Sequence, residues 1–136
     1  MSNIQNRRDF LGLALASLLP AAATAQTPAA QPTGEIARHS LNGPLEGFDV
    51  VLLERNFQPG AGNPHRHPGI VLGYVAEGRL RFAINDETEQ IVPAGGTFFE
   101  PFGAVHSTSG SANPEGTARV LIFMVVPKGS PLVSPA

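Results

Sequence analysis

Glycine and proline interrupt this chain so often that a long regular helix has little room to form. The 136 residues include 15 glycines and 13 prolines, and between these breaks lie short apolar runs that read as strands. Phe48–Phe57 opens with Asp49-Val50-Val51-Leu52-Leu53, rich in the aliphatic and β-branched residues that a pleated surface accepts. Residues 69–76 form a second apolar run closed by the turn pair Glu77-Gly78, and Arg79–Ile84 alternates polar and apolar residues with a period of two. Asn85-Asp86 is a hairpin signal. Residues 88–92 return from it to the break Pro93-Ala94-Gly95-Gly96, and Thr97-Phe98-Phe99 and residues 119–126 supply further strands. Past residue 25 no segment carries a capped 3.6-residue apolar period, so the expected fold is all-β: one small barrel or sandwich.

The expected organisation is a domain at 38–130, preceded by a flexible Ala/Pro/Thr/Gln-rich leader at 26–37 and followed by a C-terminal tail at 131–136. The first 25 residues read as an address label. Arg7-Arg8 stands directly before the apolar run Leu11 to Leu19, and Ala23-Thr24-Ala25 offers a small-residue cleavage site. That combination is a signal peptide of the twin-arginine type, and the expected location is periplasmic or secreted. The run is too short, and too close to Pro20, to serve as a bilayer span of roughly 20 residues, so no membrane association is expected after cleavage. A net charge of −2 offers no basic surface for a phosphate backbone, which argues against nucleic-acid binding. With no cysteine in the chain, disulfides and thiolate ligands are excluded. Any bound metal has to be held by imidazole or oxygen.

The imidazoles are suitably arranged. Side chains two apart on a strand project to one side, so His65 and His67 share a face while Arg66 points away. Pro101 and Gly103 turn the chain before His106, which enters the next strand as the third candidate ligand. His39 has no partner at ligand spacing and reads as a surface histidine. Glu100, directly before Pro101, is the residue that would restore a carboxylate to the site; the expectation is nevertheless a solvated strand-end residue or one paired with an arginine. Glu77 sits in a turn and is expected at the surface.

These residues resemble the two motifs of the cupin superfamily. His65-Arg66-His67, followed by Gly73-Tyr74-Val75-Ala76-Glu77-Gly78, is similar to the first motif; Gly95, Pro101, Gly103 and His106 fit the second without a gap. The resemblance implies a double-stranded β-helix, or jelly-roll, barrel that holds one divalent transition metal, iron foremost, with manganese, nickel, copper or zinc as alternatives. Three positions depart from the pattern. Val71 occupies the place of the usual glutamate ligand, Gly110 stands where an asparagine is common, and Gly60 is one residue closer to His65 than the motif's opening glycine.

Tyr74, Phe82, Phe98, Phe99 and Phe102 are expected to line or support the interior. Arg66 and Arg81 are candidates to meet an acidic substrate, with an outer-face position expected for Arg66. No side chain stands out as a general base. The resemblance to small quercetinase-like cupins implies a metal-dependent oxygenase (a dioxygenase in that group) acting on an enolisable or phenolic small molecule. The alternatives are a non-catalytic metal- or small-molecule-binding barrel, or a cupin isomerase or decarboxylase. A homodimer formed through open barrel edges is expected.

Overall fold

The computed structural model describes residues 34–136; the signal peptide read over 1–25 and the first part of the leader lie outside the described residues. Ten strands follow in order: β1 (Gly34–Ser40), β2 (Phe48–Phe57), β3 (His65–Arg66), β4 (Ile70–Glu77), β5 (Arg79–Ile84), β6 (Gln90–Pro93), β7 (Thr97–Glu100), β8 (Val105–Ser111), β9 (Ala118–Pro127) and β10 (Ser134–Pro135). A single 3₁₀ turn at Gly43–Leu45 links β1 to β2. The strands form two five-stranded sheets, β1-β2-β9-β4-β7 and β10-β3-β8-β5-β6, with every strand pairing antiparallel. The all-β barrel expectation holds.

Period two explains how the layers close. Along β9, Ala118, Val120, Ile122, Met124 and Val126 are buried while their neighbours face outward. The same alternation puts Val51 and Leu53 of β2, Val71 and Val75 of β4, and Leu80 and Phe82 of β5 into one core between the sheets. The turn at Asn85 behaves as its sequence suggests. Asn85 has φ 51°, a left-handed conformation that asparagine tolerates, and its Oδ1 accepts a hydrogen bond from the Val105 amide at 3.0 Å.

Both ends of the domain differ from the expected boundaries. β1 begins at Gly34, inside the expected leader, and pairs with β2 along its length. Its composition is polar because it is an edge strand held by backbone pairing and by charge. Arg38 donates to Glu35 at 2.8 and 2.9 Å and to the buried Asp49 at 3.0 Å. The expected tail at 131–136 also belongs to the fold, since Ser134 and Pro135 pair with Arg66 and His65. Only two of its residues form a strand, too few to show any period.

The aromatic residues divide by face. Phe82 and Phe98 are buried and stack at 4.5 Å between ring centroids. Tyr74, Phe99 and Phe102 are exposed, contrary to the interior expectation. Phe98 and Phe99 are adjacent on β7, so only one of them can face the core. Tyr74 shares its face with Ile70 and Leu72, which are also exposed.

Packing explains why Gly110 stands where an asparagine is common. A Cβ at this position would overlap the Gly60 carbonyl oxygen, because residues 58–61 are hydrogen-bonded onto β8. The amides of Ser109 and Ser111 donate to the carbonyls of Ala61 and Gln58, each at 2.8 Å. Any side chain here must push that backbone away. Gly110→Asn should therefore destabilise the fold by about 1–3 kcal/mol or more, measurable by chemical denaturation.

Candidate metal centre

The site lies where the two sheets meet. His65 and His106 are direct cross-strand partners in the β3–β8 pair, an arrangement that places side chains on one face with Cβ atoms about 5 Å apart. His67 follows two residues after His65. The three rings are separated by 4.9, 5.0 and 6.3 Å between centroids. One ring nitrogen from each lies within 4.8 Å of the others, close to the span that a single ion bridges at bond lengths of about 2 Å.

Two of the rings are held in the correct tautomer. His65 Nδ1 is 2.8 Å from the Asn63 carbonyl oxygen, and His67 Nδ1 is 2.8 Å from that of Leu132. A carbonyl can only accept, so each Nδ1 carries a proton and Nε2 is the ring nitrogen left to face the site. His106 is 2 % exposed and its Nε2 has no protein partner. Burial lowers the His106 pKa to about 3, with the neighbouring His65 and His67 adding to the effect. Burial likewise lowers that of His67. Neutral imidazoles with available lone pairs fit a divalent transition metal.

Glu100 is not the solvated or arginine-paired residue expected from sequence. It is 2 % exposed, with Oε1 3.1 Å from His106 Nδ1 and Oε2 3.8 Å from His67 Nε2. Its inward position follows from Phe98, because residues two apart on β7 share a face. Burial raises its carboxyl pKa to about 7. Val71 is buried and is the cross-strand partner of Glu100.

The remaining candidates fall outside the cluster. His39 is exposed on β1, and Glu77 is exposed and pairs with Arg119 at 3.0 Å. Arg66 donates to the Gly103 carbonyl at 2.7 Å, and Arg81 is paired with Glu89. The arginine at the cavity is Arg55, which sequence reasoning missed. Together with Leu53, Phe57, Ile122 and Val133 it lines an open cavity of about 200 Å³ that leads to the three histidines and Glu100.

The cupin domain family matches residues 53–126, a span that includes all three histidines. The chain belongs to the cupin family. Among solved structures, this cupin is similar to a double-stranded β-helix protein from Klebsiella pneumoniae, with TM-score 0.53, 18% identity, and coverage of 81% of this chain and 87% of that one. A cupin-like protein from Thermotoga maritima aligns with TM-score 0.52 and 20% identity, over 66% of this chain and 65% of that one. Both likenesses concern the fold. No curated protein matches the chain.

Two predictions follow from the burial of these groups. In metal-free protein, the Glu100 carboxyl has a folded value of about 7, above its ordinary 4.5. Its contribution to stability is complete below pH 4.5 and is lost as the pH rises through 7. The imidazoles act in the opposite sense: His106 contributes fully above pH 6.5 and loses that contribution as the pH falls toward 3. Raising the pH from 4.5 to 8 in the presence of chelator should therefore destabilise wild type relative to Glu100→Gln, by at most about 3 kcal/mol in denaturant unfolding. Ending the chain at Ser130 removes the Leu132 carbonyl that orients His67, and should weaken zinc or cobalt binding by roughly 10–100-fold in competition titrations.

Proposed function

We propose that this cupin is an exported, metal-dependent oxygenase for a small enolisable or phenolic compound. The observation behind this reading is the convergence of His65, His67 and His106, with two rings oriented by backbone carbonyls. A divalent ion held there, iron foremost, supplies a Lewis acid and open coordination positions.

The chain's own residues account for substrate binding. Leu53, Phe57, Ile122 and Val133 give the cavity an apolar wall that excludes water from a flat ring or enol. Arg55 sets a cation among them, suited to an ionised phenol or enolate oxygen. A volume of about 200 Å³ is small beside the roughly 300–1,000 Å³ of sites for drug-sized ligands, so a single-ring or shorter substrate fits. Export rests on the Arg7-Arg8 signal sequence and places the protein in the periplasm or outside the cell.

The test combines metal loading with oxygen consumption. Iron-, nickel- and copper-loaded protein should consume O₂ with at least one member of a panel of small phenols, enols and 1,3-dicarbonyls. His106→Ala should lose at least about 100-fold of that rate while keeping its β-sheet circular dichroism spectrum. Full metal loading without oxygen uptake on any panel member would instead support a non-catalytic binding barrel.

A further inference from the structure

Among the described residues, three carboxylates are buried: Asp49, Glu54 and Glu100. Two of them have an arginine. Arg38 donates to Asp49 at 3.0 Å, and Arg119 reaches Glu54 at 3.1 Å. Glu100 has no such partner; its neighbours at ion-pair distance are His67 and His106. A carboxylate taken out of water without a fixed cation is costly unless a positive charge arrives from elsewhere.

The register of the first sheet shows where that charge would sit. Val71 on β4 and Glu100 on β7 are direct cross-strand partners, and both are buried. By the resemblance to the first cupin motif, Val71 aligns with that motif's glutamate. Partners in an antiparallel pair project from the same face about 5 Å apart. A longer acidic side chain on β7 can therefore reach the space that the shorter valine on β4 leaves. The two Glu100 oxygens lie 3.1 and 3.8 Å from nitrogens of two different histidines, close to the separation of adjacent ligand atoms on an ion bonded at about 2 Å.

Building on the metal site of the preceding section, we propose that Glu100 is the fourth protein ligand, its carboxylate moved one strand across the sheet from the Val71 position. The site is then a three-histidine, one-carboxylate set in which the oxygen donor comes from the first sheet and the nitrogens from the second sheet and the residue following β3. Such a set favours harder, higher-coordinate ions such as iron(II) and manganese(II) more than three imidazoles alone would.

Cobalt(II) serves as the probe, since its visible spectrum reports its ligands. Wild type should bind one cobalt per chain. Glu100→Gln, which preserves shape, should bind at least about tenfold more weakly and show a changed visible spectrum. The double variant Val71→Glu with Glu100→Val, which returns the carboxylate to β4, should recover affinity that Glu100→Val alone loses. Infrared difference spectra of wild type, with and without cobalt, should show a carboxylate band shifted on binding. This last measurement requires no variant to fold. Unchanged affinity and spectrum in Glu100→Gln would overturn the proposal, as would weaker binding with an unchanged visible spectrum and no carboxylate shift, which would make Glu100 a positioning residue for His106. Absence of cobalt binding by wild type would remove the metal reading itself, a failure distinct from a three-histidine site that binds without Glu100.

Discussion

Three imidazoles and a carboxylate are placed at the end of an apolar sandwich, and the surrounding structure has to accommodate the loss of their hydration. Desolvation sets the charge states of the two most buried groups, pushing His106 down to about 3 and Glu100 up to about 7. What disfavours imidazolium also favours a metal ligand, because a neutral ring with a lone pair is the form that binds. The stability cost and the binding capacity therefore have one source.

Local features limit that cost. The carbonyls of Asn63 and Leu132 take the Nδ1 protons of His65 and His67, so neither ring needs water on that side. The second of these carbonyls comes from the segment just before β10, which pairs with β3 beside the first two histidines. Further along the same edge of β8 the backbone of residues 58–61 lies against Gly110, and β5 pairs with the opposite edge. The strand that carries His106 is thus fixed on both edges and packed at a point where a side chain would intrude.

Much of this was legible from residue order, for reasons that can be named. β2 and β5 have the limits that the sequence indicates, Phe48–Phe57 and Arg79–Ile84, the first marked by a run of aliphatic and β-branched residues and the second by period-two alternation. The histidines are marked by spacing, two of them lying two residues apart and the third following a turn. β1 and β10 are not so marked, since backbone pairing holds them and leaves little trace in side-chain pattern. The inward position of Glu100 was available from period two, given Phe98 inside. Charged residues mostly lie outside, however, and the register that sets Glu100 against Val71 is a long-range property of β4 and β7. Arg55 was missed for a similar reason, because nothing local marks which strand end borders a cavity.

The stacked pair Phe82 and Phe98 has a mechanical consequence. The two rings come from opposite sheets, 4.5 Å apart, and lie 5.2 and 6.1 Å from the His106 ring. They act as a spacer between β5 and β7, and because β8 pairs with β5 the spacing bears on the gap between Glu100 and His106. Packed interiors transmit small volume changes with little slack. The aperture of the site is therefore gauged by aromatic thickness, and a residue that touches no ligand helps to determine which ionic radius the site can accept.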